Sequence, residues 1–296
     1  MNYALRKNFN IFTADIEEFF QVEAFSGYIK KDDWDKYPGR VEKNTERLLE
    51  IMDHYHVKGT FFIVGWVAER NPALVKMIFR EGHEISSHGY SHTMVTKMTQ
   101  HEFREDIRRA KKILEDITGG GIIGYRAPTF SIVKDTTWAY EILLEEGYRY
   151  SSSVFPIKHD RYGWIDFGLR AKVVAASEES ELWEFPMSVW DLGSIKIPLG
   201  GGGYLRTYPF GVTRYLARSI IRKGRPLILY VHPWELDENH PSVNVPLLTR
   251  VRHFIGITGL DGKLKGVLNS FSFCPFKDIF ESYGNNSLNG SVGGGG

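Results

Sequence analysis

A chain of 296 residues with 42% hydrophobic and 25% charged side chains has ordinary globular composition and the length of one large domain or two small ones, which excludes a disordered, collagen-like or fibrous protein. Lys and Arg number 37 against 36 Asp and Glu, a formal charge of +1, so no global field draws the chain to nucleic acid or an anionic membrane and any polyanion site has to be local. The single cysteine, Cys274, excludes an intramolecular disulfide and a cysteine-based structural zinc cluster, and reads as a buried thiol.

The first residues carry two early basic side chains but no apolar signal core, and no run of about 18 apolar residues occurs anywhere, so the expected location is cytoplasmic, without a transmembrane segment. Asn10 to Ile16 is a first apolar strand. Val41, Leu48, Ile51, Met52 and Tyr55 then recur at helical spacing, and Gly59 to Val64 is a buried-strand run. Asn71-Pro72 starts a helix with a cap and a proline at its first position; Gly82 stops it before the short strand Glu84 to Ser87.

Thr99 and Glu102 stand at capping-box spacing ahead of the stripe Phe103, Ile107, Ala110, Leu114 and Ile117, which ends at Gly119. Gly121 to Tyr125 leads into a further strand, Asp135 to Glu146 into a helix, and Pro226 to Val231 is a late buried strand. Such alternation predicts an α/β sheet or barrel of βα units. Residues 155–208 break the pattern with scattered aromatics, Pro and Gly, and read as inserted strands and loops. The Gly/Asn/Ser-rich stretch 285–296 is expected to be a disordered tail.

Four strand ends carry reactive side chains, and in parallel α/β architectures the C-terminal ends of strands are where sites assemble. His88 and His92, four apart after a strand, can turn two imidazoles to one ion or form a solvated or core pair. Asp15, Glu17 and Glu18 end the first strand; Asp15 and Glu17 share a face, one able to ligate and one to act as base, or the group is the acidic N-terminus of a helix. Arg126, in Tyr125-Arg126-Ala127-Pro128, can orient a carboxylate or form a surface salt bridge. His232 ends the late strand as a catalytic or a structural histidine. Gly200 to Gly203, followed by Tyr204 and Arg206, lacks the helix and Lys-Ser/Thr of a nucleotide cradle and reads as a close-approach loop beside substrate. Trp164, Trp190 and Trp234 can stack on sugars or lie in the core, and Phe19, Phe20 and Phe25 suggest an exposed aromatic surface for a groove or a dimer.

These motifs in this order resemble the NodB-homology polysaccharide deacetylases, carbohydrate esterase family four: Thr13-Ala14-Asp15-Ile16-Glu17, then His83 through His88 to His92, then Arg126-Ala127-Pro128, then Leu229-Tyr230-Val231-His232. The Glu17 to Val22, Ser151 to Pro156 and Gly200 to Arg206 segments also resemble the branch associated with exopolysaccharide and exosortase loci, which has its own C-terminal extension. The resemblance implies a distorted (β/α)7 barrel with inserted strands and loops near 155–210. It also implies a single domain over 1–284, with a motif core over about 10–235 and an extension over about 236–284.

It further implies a divalent metal, usually zinc, held by Glu17, His88 and His92, with Glu18 the neighbouring alternative to Glu17. Asp15 is then the base, Arg126 its orienting partner and His232 the general acid, while Tyr204, Arg206 and Trp234 are expected to touch substrate. The implied activity is N-deacetylation of a polysaccharide containing N-acetylhexosamine, an exopolysaccharide, by a protein that is soluble or peripheral to the inner membrane. An allantoinase-type cyclic-amide hydrolase, a peptidoglycan deacetylase and a non-catalytic carbohydrate-binding relative are the alternatives. Two positions depart from the family pattern. Ala14 replaces the first of two adjacent aspartates, and Ser151 stands where the branch has an aspartate to hold the general acid, which leaves Glu184 and Asp191 as replacements.

Overall fold

The computed structural model describes residues 10–289 except 160 and 242. Its first half alternates strands and helices: β1 (Asn10–Ile16), α1 (Val41–His54), β2 (Thr60–Ile63), α2 (Gly65–Arg70), α3 (Pro72–Arg80), β3 (Glu84–Ser87), α4 (Gln100–Thr118), β4 (Gly124–Tyr125), α5 (Trp138–Glu145) and β5 (Tyr150–Ser151). The second half adds β6 (Lys172–Ala176), β7 (Glu181–Glu184), β8 (Val189–Leu192), β9 (Ile195–Pro198), α6 (Gly203–Thr207), α7 (Phe210–Arg222) and β10 (Ile228–Val231). It ends with α8 (Leu247–Phe254), α9 (Leu260–Ser270), β11 (Phe273–Cys274) and α10 (Phe276–Asn289).

Among the described residues, seven strands run parallel in the order β10, β1, β2, β3, β4, β5, β7, which is the distorted (β/α)7 arrangement expected from the resemblance. β6 adds an antiparallel edge beyond β7 and β8 and β9 form a separate hairpin, so these inserted strands fall in the stretch predicted for them, while β11, outside it, pairs with the start of β1. The sheet curls without joining β7 to β10. The intervening chain covers the edge of β10: Gly201 bridges to Tyr230, and the Ile228 N–H donates to the Ser188 hydroxyl at 2.7 Å.

Local signals account for the helices that shape this layer. The Thr99 hydroxyl accepts the Glu102 N–H at 3.3 Å and the Glu102 carboxylate accepts the Thr99 N–H at 2.8 Å, while Gly119 ends α4 in a left-handed conformation. α4 buries Phe103, Ile107, Ala110 and Leu114 on one stripe, as its spacing requires.

Strand alternation separates two apolar layers. Phe12, Ala14 and Ile16 of β1 face the helices with Leu48, Phe61 and Ile63, whereas Ile11 faces the barrel interior with Phe62, Tyr150, Phe185 and Ile228. Phe276, at the start of α10, fills that interior, stacking on Tyr150 at 5.0 Å, and its N–H donates to the Thr60 hydroxyl at 2.8 Å. Cys274 is buried, as predicted. The stretch read as a tail overlaps α10 as far as Asn289, and 290–296 lie outside the described residues. Among the described residues no helix is long and apolar enough to cross a membrane.

One expectation is reversed. Phe19, Phe20 and Phe25 form no exposed surface; they are buried in a third apolar cluster with Trp34 and Trp234. Short 3₁₀ turns carry the three rings inward, where Phe19 packs edge to face on Phe20 at 5.2 Å and Phe25 lies against His253 at 4.5 Å.

Candidate active site

The inner-face alternation of β1 carries Thr13 and Asp15 toward the C-terminal mouth of the barrel, and Glu17 follows in the same sense. Glu18 does not: its carboxylate accepts the N–H groups of Arg40 at 2.8 Å and Val41 at 3.0 Å and so caps α1. The acidic run therefore divides, with Glu18 serving a helix N-terminus and Glu17 facing the histidines.

His88 and His92 lie on the loop leaving β3. The N–H groups of Tyr90 and Ser91 both donate to the Asp106 carboxylate of α4, at 2.7 and 2.9 Å, and Gly89 passes so close to it that a Cβ would sit 2.7 Å from Oδ2. His88 Nδ1 meets the Arg126 carbonyl at 2.8 Å, which makes it the protonated nitrogen and leaves Nε2 for the cavity. Burial pushes His88 down to about 4, so its ring is neutral at physiological pH, the form that ligates.

His92 Nε2 stands 2.5 Å from Glu17 Oε2, and one ligand atom from each of Glu17, His88 and His92 lies within 4.8 Å of the others. Burial would raise the Glu17 carboxyl, but His92, His232 and His88 together hold it well below the usual range. The donor set, two imidazole nitrogens and a carboxylate oxygen, is the kind that takes zinc. His92 Nδ1 is buried with no hydrogen-bond partner among the described residues. The residues present fit a divalent ion.

Asp15 is held beside this set by Arg126, whose Nη1 donates to Asp15 Oδ1 at 2.6 Å and to the Thr13 hydroxyl at 2.8 Å. The guanidinium is fully buried, bonded also to the Ser152 carbonyl at 3.1 Å and lying over the Phe62 ring at 4.1 Å. It is no surface salt bridge.

His232 ends β10 and enters a 3₁₀ turn, Pro233–Leu236, and its Nε2 lies 3.7 Å from Glu17 Oε1. Its partner is Glu235, three residues on: Oε2 stands 3.2 Å from Nδ1 and accepts the His232 N–H at 2.9 Å. Burial opposes charge on the His232 ring, but Glu17 and Glu235 outweigh it and raise the ring to about 9. Neither replacement named from the sequence reaches His232. The Glu184 carboxylate accepts the Ser153 and Val154 N–H groups at 2.7 and 2.9 Å, and Asp191 pairs with Lys223 at 2.9 Å and with Arg225. Glu235 was legible only as the capping-box partner of His232 within a short turn.

All of Asp15, Glu17, His88, His92 and His232 line one cavity of about 330 Å³, with Phe130, Tyr162, Tyr230 and Trp234 among its walls. Of the residues expected to touch substrate, Trp234 and Arg206 line it but are committed elsewhere. The Trp234 indole N–H donates to Glu17 Oε1 at 3.1 Å, and Arg206 Nε is ion-paired with Glu235 Oε1 at 2.9 Å in the buried wall. Tyr204 is not among the described lining residues; it packs edge-on against Phe155, behind Tyr162. Trp190 donates to the Ser219 hydroxyl at 3.0 Å and Trp164 packs on Phe167, so neither stands at the cavity. The glycine run makes its close approach to protein: Gly201, with φ near +137°, lies against Tyr230, where any Cβ would collide with its carbonyl oxygen at 1.8 Å.

A curled parallel sheet with a His/His/carboxylate set, an Arg-held aspartate and a Glu-held histidine at its C-terminal mouth defines a hydrolase-type site. The polysaccharide deacetylase family profile matches residues 32–150, and a second profile, a domain of unknown function designated DUF3473, matches 152–281. Residues 32–150 therefore carry a polysaccharide deacetylase domain of the NodB-homology type, carbohydrate esterase family 4.

A peptidoglycan deacetylase of Helicobacter pylori is 30% identical over 184 residues, covering 58% of this chain and 61% of that protein, so the chain spans less than two thirds of this relative. A Mycobacterium smegmatis crystal structure assigned as a polysaccharide deacetylase superposes with a TM-score of 0.62 at 21% identity, over 94% of this chain and 90% of that one. PuuE allantoinase superposes with a TM-score of 0.56 at 16% identity, over 92% and 88%. The fold is thus shared by proteins named for different amide hydrolyses, and only the site and its assay discriminate.

Proposed function

We propose that this chain is a divalent-metal-dependent N-deacetylase, with zinc the native ion, acting on a polysaccharide that contains N-acetylhexosamine, an exopolysaccharide in the first instance. The observation that carries the reading is the convergence of Asp15, Glu17, His88, His92 and His232 on one cavity, with the proposed base and acid at the ends of the neighbouring strands β1 and β10. Glu17, His88 and His92 would hold the cation, which polarises the acetamide carbonyl and acidifies water.

Asp15, aimed by the Arg126 guanidinium, takes a proton from the attacking water. His232 is the proton donor: Glu235 pairs with its Nδ1 and favours the charged ring, and Nε2 delivers the proton to the amine as the C–N bond breaks. Acetate and a free amino sugar result. The Glu235 pairing argues against a decayed binding module, because the general acid retains a carboxylate partner despite Ser151.

A second reading, peptidoglycan as the polymer, is favoured by the name of the Helicobacter relative. The test is acetate release by zinc-loaded protein from N-acetylglucosamine oligomers, an acetylated exopolysaccharide and purified peptidoglycan, with chelated protein and Asp15→Asn as controls. Release abolished in both controls supports the reading, and the preferred polymer decides between the two substrates. Silence on all three polymers, with ring opening of allantoin instead, overturns it.

A further inference from the structure

A chain with a formal charge of only +1 nevertheless carries a local line of positive charge. α7 contains no acidic residue, and Arg214, Arg218 and Arg222 recur every fourth position on its exposed side, a line about 12 Å long at the helical rise. Among the described residues none of the three has a carboxylate partner. At the C-terminal end of this line a shallow surface cleft is lined by Arg170, Lys172, Lys223 and Arg225 against one carboxylate, Asp191, which is already shared by Lys223 and Arg225.

Apolar side chains accompany the charge. Leu192 and Ile195, at the tip of the β8–β9 hairpin, are 62% and 56% exposed, and Asp191 beside them contacts Lys223 at the end of α7. Tyr215 is 62% exposed on the same outward side of α7 as Arg218 and Arg222. Exposed aliphatic tips gain nothing from a soluble polyanion. A bilayer surface accommodates both, taking arginines at its phosphates and Leu, Ile and Tyr at the boundary beneath.

We infer that the outer face of α7, with the β8–β9 tip, docks on an anionic phospholipid surface. The end of α7 leads into the start of β10, whereas His232 follows the far end of that strand, so the Arg222 end of the docked face lies opposite the mouth, and none of its side chains lines the cavity.

The test is flotation of the full chain with phosphatidylcholine vesicles with and without phosphatidylglycerol, in low and physiological salt. The expected result is partitioning onto anionic vesicles only, weakened by salt and by roughly fivefold for each arginine removed in Arg214→Gln, Arg218→Gln and Arg222→Gln. Leu192→Ser/Ile195→Ser should weaken it as well. All five positions are solvent-exposed and remote from the cavity, so thermal unfolding and zinc binding should stay unchanged, which separates a docking defect from misfolding. Equal binding to neutral vesicles, wild-type flotation by the triple arginine variant, or binding to dextran sulfate as tight as to vesicles with no effect of the Leu/Ile pair would each overturn the inference.

Discussion

Trp234 and Glu17 are joined by a buried hydrogen bond: the indole N–H donates to Oε1 at 3.1 Å, which turns the other oxygen, Oε2, toward His92. The ring that supplies this bond is itself clamped, stacked between His232 at 5.1 Å and His253 at 4.4 Å. An indole so placed fixes which carboxylate oxygen is free to ligate. Trp234→Phe keeps most of the packing and removes the donor. Its zinc affinity, measured by competition with a chromogenic chelator, should fall about ten- to a hundredfold, and an unchanged affinity would show that Glu17 is aimed by other contacts.

Glu235 does for His232 what Arg126 does for Asp15. Its carboxylate lies below the usual range because Arg206 and His232 overcome the effect of burial, so it is ionised wherever the enzyme would work. The His232 ring, whose charged form Glu235 favours, has to carry its proton to act, so the acid-dependent rate should fall as pH rises through its titration. Glu235→Gln removes one of the two carboxylates that raise the ring. Its alkaline limb should move to lower pH, and kcat should drop on the order of ten- to a hundredfold with zinc affinity retained. A limb that stays where it is would assign it to another group.

The strand-end residues were legible because each sits one or two positions past an apolar run, and parallel strands deliver such positions to one rim regardless of their separation in sequence. Asp15, His88 and His232 meet at one cavity for that reason, with Arg126 bonded to Asp15 and His88. Periodicity also exposed α4 and its cap. What sequence spacing could not separate was Glu17 from Glu18, because the decision rests on whether β1 alternation persists past Ile16 and on the distant N-terminus of α1 at Arg40. The buried state of Phe19 and Phe25 was hidden likewise, their cover coming from Trp34, Trp234 and the C-terminal extension. The buried ion pair of Arg206 with Glu235 was hidden too, because it leaves no periodic trace.

The glycine run makes a conformational prediction. Gly201 combines a φ that L-residues avoid with a position where a Cβ would lie 1.8 Å from the Tyr230 carbonyl oxygen. Gly201→Ala should therefore cost about 3 kcal/mol or more, read as a lowered urea midpoint. Because Tyr230 lines the cavity two residues before His232, activity should fall further than stability alone explains. Wild-type stability in this variant would mean that the edge of β10 is not covered as described.

Away from the site, His83 is buried against Phe61, with ring centroids 4.8 Å apart, and its Nδ1 accepts the Gly59 N–H at 3.2 Å. That bond needs a bare Nδ1, and burial, reinforced by Lys58, pushes the ring down to about 4. The unfolded chain takes up the proton near 6.5, the folded chain only near 4, so the neutral ring contributes stability present in full above the unfolded value and lost as pH falls through the folded one. The contribution is on the order of 3 kcal/mol. Unfolding free energy from urea titrations should therefore decline between pH 7 and pH 4, and His83→Gln, which cannot gain the charge, should decline by less over the same interval. Parallel declines in the two proteins would place the acid sensitivity of the fold on other groups.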